Sequence, residues 1–258
     1  MACSHNNTIW FFFLAIFTVL ISPVISSRVM KLPVTVESPS TINSYCESWR
    51  LAVETNNAIT WKVVPSECVS YLETYYNKGQ FDNDYNVVAR YALDFAKTVK
   101  IGGDGKDAWV FDVDETLLSN LDYYKAHTYG AEPFNSKEFN EWVVQGTTPG
   151  YVASLKLYQG LKKLGFTIIL LTGRDEAQRS VTEKNLEDAG YSDWDQLLLR
   201  GHEDQGKAAT QYKSEQRSKM VKKGFRLHGN TGDQWSDLQG FAVADRSFKV
   251  PNPLYYIA

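Results

Sequence analysis

The sequence predicts an α/β domain built on an open, mainly parallel sheet covered by helices. Five short apolar runs, at 108–111, 166–171, 197–199, 225–227 and 241–243, have the unbroken hydrophobicity of strands buried on both faces. Stretches with helical spacing separate them, the alternation that parallel strands need for their crossovers. At 258 residues, 43% hydrophobic and 22% charged, the chain can bury an ample core. That excludes a disordered or fibrous protein and points to one large domain, with or without a small extension. The 27 Lys+Arg against 30 Asp+Glu, a formal charge of −3, offer no basic field for nucleic acid.

From the N-terminus, residues 9–21 (IWFFFLAIFTVLI) form an uncharged run too short to span a bilayer, followed by the small residues Ser22 and Ser26. This is the pattern of a secretory signal peptide over 1–26, cleaved near Ser26 or Ser27. Its only cationic groups are the α-amino group and His5, and an uncleaved anchor is the alternative reading. Cleavage takes Cys3 away. In an oxidising compartment the remaining Cys46 and Cys68 would most simply pair with each other; two buried thiols are the alternative, and no second Cys or His lies at metal-ligand spacing.

Residues 27–106 are expected to form an N-terminal arm with helices. The stretch 28–65 reads as extended with short elements, helical at 46–53, while 68–76 and 86–99 read as helices. In the second of these, Val88, Tyr91, Ala92, Phe95 and Val99 share one face. The segment 100–107 (KIGGDGKD) is a breaker; it lacks the Ser or Thr of a phosphate-binding loop and precedes a strand, so it is read as a turn. The core then spans 107–258, with helices expected at 152–163, 176–189 and 214–223, the last two closed by Gly190 and Gly224. An insertion at 120–150 separates the first two strands. Its aromatic residues Tyr123, Tyr124, Tyr129, Phe134, Phe139 and Trp142 are read first as packing and, more sharply, as a small lid.

In an open α/β sheet, ligands gather beyond the carboxyl ends of the strands. There the sequence places Asp112-Val113-Asp114-Glu115-Thr116 after the first run and Thr172-Gly173-Arg174-Asp175 after the second. Lys213 begins the helix after the third, and Gly232-Asp233 and Asp237 follow the fourth. Each has a bland reading: an N-cap and turn for the Asp pair, a strand-to-helix turn for Thr172-Gly173, a solvated or Asp175-paired Arg174, a surface lysine at 213, and a helix N-terminal charge at 237. A D-x-D-x-T arises in roughly 6% of shuffled chains of this composition. Its place after a strand, with the other three groups in order after later elements, argues against chance.

Asp112 and Asp114 would point to one side if the strand continued, or converge on a crevice if the chain turns. With Asp233 they supply oxygen ligands suited to Mg²⁺. One carboxylate could then attack phosphorus in line, with Mg²⁺ and Lys213 neutralising the phosphoryl oxygens. Asp114 could protonate the leaving oxygen and later deprotonate water, while Thr172 and the Gly173 N–H could hold the phosphoryl group as helix N-termini do. His127, His202 and His228 are scattered without zinc-site spacing.

The segments DVDET (112–116), LLTGR (170–174), YKSEQR (212–217) and GDQWSD (232–237) resemble the four signature motifs of the haloacid dehalogenase (HAD) superfamily of phosphatases. The leader, the Trp- and Tyr-rich arm and the stretch PNPLYYIA resemble plant acid phosphatases and vegetative storage proteins across nearly the whole mature chain. The resemblance implies a Rossmann-like core, Mg²⁺ dependence and an aspartyl-phosphate intermediate. It implies Asp112 as nucleophile and metal ligand, and Asp114 as acid/base and, through its carbonyl, metal ligand. Thr172 would be the phosphate ligand, Lys213 the charge clamp and Asp233 a metal ligand, and Asp237 would orient Lys213 or the metal waters; Gly173 and Arg174 are read from their position as further substrate contacts. The expected substrate is a small phosphate monoester. The expected setting is the secretory pathway, vacuolar or extracellular, off the membrane once the leader is cleaved, with homodimers common in the family. Storage-type members can lack the nucleophilic Asp; because Asp112 is present, an enzyme is preferred over a storage protein with vestigial activity, and phosphotransfer to another acceptor is a third reading.

Overall fold

The computed structural model describes residues 39–258, so the expected leader at 1–26 and the first part of the arm lie outside the described residues. Five strands form one sheet: β1 (Asp107–Phe111), β2 (Thr167–Asp175), β3 (Gln196–Arg200), β4 (Arg226–Gly232) and β5 (Arg246–Lys249). Their order is β3-β2-β1-β4-β5 and all four pairings are parallel. The chain winds outward from β1 in one direction and then from β4 in the other, which opens a crevice beyond the carboxyl ends of β1 and β4.

Helices α1 (Pro39–Glu54), α2 (Val69–Asn77) and α3 (Gln80–Ala96) precede the sheet, and α4 (Leu121–Ala126) and α5 (Ser136–Val143) lie in the insertion. Then come α6 (Val152–Leu164), α7 (Arg179–Asp188), α8 (Ala209–Lys222) and the short α9 (Trp235–Leu238). Strand alternation divides the core. Ala108, Val110, Ile169 and Leu171 pack with Tyr212 and Met220 of α8, while Trp109, Phe111, Ile168 and Leu170 face the larger core that includes α3 and α6. Trp109 is fully buried beneath Phe248 of β5, their rings stacked at 5.5 Å, and its indole lies across Gly229 of β4, where a side chain would have no room.

The N-terminal extension is more regular than its composition suggests, because α1 is a complete helix where short elements were expected. Cys46 of α1 and Cys68 form the expected disulfide, with Cα atoms 5.3 Å apart. Closing a loop of that length contributes about 3 kcal/mol against the unfolded chain. The carboxylate of Glu54 accepts from Lys249 Nζ (2.5 Å) and from the Asn252 backbone N–H (3.0 Å), so the end of α1 is joined to the segment after β5.

Two expectations need correction. The run 241–243 is not a strand: Phe241 and Val243 are 51% and 52% exposed, and the fifth strand is Arg246–Lys249. Carbonyl oxygens of Gln239, Phe241 and Ala242 accept from the buried Arg217 guanidinium, which replaces sheet hydrogen bonding with a side-chain anchor. On α3, Tyr91 is exposed, and the buried face runs through Phe81, Tyr85, Ala89, Ala92 and Ala96. Among the described residues, no helix is long and apolar enough to cross a membrane.

Candidate active site

Phe111 aligns with Leu170 on β2 and Thr231 on β4, so Asp112, Thr172 and Asp233, one or two residues further along, lie side by side toward the carboxyl edge of the sheet. The Asp112 N–H donates to Thr231 O at 3.0 Å, and the chain then turns sharply, with Leu117 N–H donating to Val113 O at 2.8 Å. Glu115 takes a left-handed backbone conformation within that turn (φ 54°). Of the two arrangements open to the Asp pair, the turning one occurs.

Lys213 lies in the second turn of α8, not at the helix start, and is buried. Its ammonium donates to Asp112 Oδ1 and, at 2.5 Å, to Asp237 Oδ1. Carboxylate oxygens of Asp112, Asp233 and Asp237 all lie within 4.8 Å of one another. Burial, with the Asp237 charge second, raises the Asp112 carboxyl well above the usual range, only partly countered by Lys213. Burial and then Asp237 likewise push Asp233 up to about 7. Burial works against the charge on Lys213, yet the two carboxylates hold it above the usual ammonium range. Four aspartates, 112, 114, 233 and 237, thus gather around two cations, Lys213 and Arg174. A buried set of hard oxygen donors that outnumbers its cations fits a divalent metal ion.

Arg174 is neither solvated nor paired with Asp175. It is buried, and its Nε and Nη2 donate to both oxygens of Asp114 at 2.7–3.3 Å. Asn120 Nδ2 adds a third donor at 2.8 Å. Burial alone would raise the Asp114 carboxyl; the guanidinium outweighs it and holds the group below its ordinary value. Asp175 instead caps the following turn, accepting from Ala177 N–H. Thr172 and Gly173 do not sit at a helix N-terminus: they lie in the distal part of β2, where its pairing with β3 is interrupted between Leu171 and Asp175. Thr172 Oγ1 accepts from Arg174 N–H at 3.0 Å, and the space beside Gly173 is open.

Several contributors were not singled out from the sequence. Asn120, at the entrance to the insertion, bonds Asp114, Glu115 and the indole N–H of Trp142. Glu115 is buried and, chiefly through burial, has its carboxyl pushed up to about 8. Arg217 donates to the Asp237 carbonyl at 2.5 Å. Gln234 and Asn252 bond Asp233. An isolated Asn or Gln carries no sequence signal for such roles; Glu115, Arg217, Gln234 and Asn252 lie inside the strings DVDET, YKSEQR, GDQWSD and PNPLYYIA, whereas Asn120 lies outside all four. Of the insertion aromatics, Tyr123, Tyr124 and Tyr129 are buried as packing predicts, whereas Phe134 is 59% exposed.

A family model described as HAD superfamily, subfamily IIIB (acid phosphatase), matches residues 31–258. Acid phosphatase 1 of Solanum lycopersicum is 50% identical over 251 residues, 96% of this chain and 98% of that one. Vegetative storage protein 2 of Arabidopsis thaliana is 40% identical over 82% of this chain and 80% of its own length. Among solved structures, a class C acid phosphatase from Bacillus anthracis with tungstate bound superposes with a TM-score of 0.58 at 20% identity, covering 74% of this chain and 86% of that one, a likeness of fold.

Proposed function

Since the chain belongs to subfamily IIIB of the HAD superfamily, the acid phosphatases, we propose that it hydrolyses small phosphate monoesters through a phosphoenzyme on Asp112. The observation that carries this reading is the buried Lys213 ammonium bridging Asp112 and Asp237, with Asp233 in the same cluster. A nucleophilic carboxylate needs its attacking oxygen fixed and the phosphoryl charge neutralised, and Lys213 serves both ends.

Asp112 attacks phosphorus as the bond to the leaving oxygen breaks, and Asp114 donates its proton to that oxygen. Water then attacks the phosphoenzyme, Asp114 takes the water proton, and Asp112 is released with inorganic phosphate. Thr172 and the Gly173 N–H are assigned to the phosphoryl oxygens, and Arg174 acts by holding Asp114. Asp112, Asp233 and the Asp114 carbonyl would hold Mg²⁺, which supplies charge neutralisation at the phosphoryl oxygens when bound. The insertion is assigned to leaving-group selection, since Asn120 donates to Asp114 and in turn accepts from the Trp142 indole N–H. The Cys46–Cys68 bridge supports a secretory destination, vacuolar or extracellular.

Turnover of p-nitrophenyl phosphate tests the proposal. Asp112→Asn should lower kcat at least about a thousandfold, and EDTA should abolish activity that Mg²⁺ restores; undiminished rates in either case overturn it. A storage role is the second reading, favoured by the 40% identity to vegetative storage protein 2. It requires kcat/KM far below about 10⁴ M⁻¹s⁻¹ together with accumulation as a major soluble protein.

A further inference from the structure

We infer that the segment following β5 is part of the active site, and that Asn252 is a positioning residue that sets the affinity of the aspartate cluster for a divalent cation. The inference rests on the phosphatase reading above and on contacts that the reaction scheme leaves unused.

Asp233 is buried and both of its oxygens are engaged. Oδ2 accepts from Asn252 Nδ2 and from Gln234 Nε2, each at 2.7 Å, while Oδ1 accepts one longer bond, 3.2 Å, from Thr116 Oγ1. The contrast with Asp112 is one of charge. Asp112 is held by an ammonium, which neutralises it, whereas the two donors on Asp233 Oδ2 are neutral amides. They fix the plane of the carboxylate and satisfy one oxygen while leaving its negative charge for a cation, the role that outer hydrogen-bond partners play at metal sites.

The amides are themselves held by the same segment. Residues 250–254 are all buried. Asn252 Oδ1 accepts from Leu254 N–H at 2.9 Å and its own N–H donates to Glu54, so its side-chain amide has one orientation. Gln234 Oε1 accepts from Ile257 N–H at 3.0 Å, which aims Nε2 at Asp233. Three residues past Asn252, the Tyr255 hydroxyl donates to Glu115 Oε2 at 2.8 Å, and its ring stacks on Tyr124 of the insertion at 5.2 Å. One short segment therefore touches the turn after β1, the turn after β4 and the insertion.

The test is calorimetric titration of Mg²⁺ into the full chain and into Asn252→Ala, alongside the Mg²⁺ dependence of p-nitrophenyl phosphate turnover. The expected result is a Mg²⁺ Kd weakened about 10- to 100-fold, with the substrate KM unchanged and kcat largely recovered at saturating Mg²⁺. A purely structural role would lower the metal-free Tm and kcat and leave Kd in place; an unchanged Kd overturns the inference. Asn252→Leu, which keeps the branched outline of the side chain without a donor, repeats the comparison if the alanine variant does not fold. Wild-type protein that binds no Mg²⁺ sinks the metal assignment itself, an outcome distinct from wild-type and variant binding alike.

Discussion

Gly232 shows how little freedom the site allows at single residues. A Cβ there would lie 2.4 Å from Asp237 Oδ2, the oxygen that accepts from the Gln234 N–H, so even a methyl group would displace the carboxylate that anchors Lys213. Gly232→Ala should therefore lower kcat at least about tenfold with a smaller change in KM, as steady-state kinetics would show. Arg174 gives the second residue-scale prediction. In the proposed scheme Asp114 carries a proton to the leaving group, and the guanidinium holds its carboxyl below the ordinary value although burial acts to raise it. With the guanidinium removed, burial dominates and the carboxyl moves up, so the protonated form persists to higher pH. The pH optimum of kcat in Arg174→Gln should shift upward relative to wild type; an optimum that stays or falls would count against Asp114 as the acid.

Among the elements, β1 and β4 carry the site and owe their register to side-chain fit. Trp109 of β1 packs over the bare backbone of Gly229, where a Cβ would come within 2.4 Å of the indole, and its Nε1 donates to Thr231 Oγ1 at 2.9 Å. Gly229→Ala should cost about 1–3 kcal/mol by overpacking, seen as a lower denaturation midpoint. Because Thr231 precedes Gly232 and Asp233, the same change should also depress activity. The strand content of β1 and β2 was legible because apolar runs buried on both faces leave few alternatives. The fifth strand was not: Arg246–Lys249 presents only Phe248 to the core, while the more apolar 241–243 stays outside, pinned by Arg217. Hydrophobicity records what could be buried, and the sheet takes only what its geometry reaches.

For the whole molecule, the disulfide ties α1 to Cys68 within the N-terminal extension, and the Glu54 contacts join α1 to the segment after β5, which in turn reaches the aspartate cluster. Reducing the bridge, or Cys46→Ser with Cys68→Ser, should remove about 3 kcal/mol of stability and lower Tm by roughly 6–12 °C, measured by thermal unfolding with and without reductant. By itself, the sequence determined the fold class and the family, and it singled out residues 112, 114, 172, 213 and 233 as candidates, because local pattern reveals strands and the four motifs follow them in order. Tertiary structure alone decided which partner each charge takes: Arg174 with Asp114, Lys213 between Asp112 and Asp237, and Asn252 on Asp233. Those pairings span up to about a hundred residues of chain, and hydrogen bonds form between atoms that packing brings within 3 Å, a distance to which spacing along the chain gives no clue.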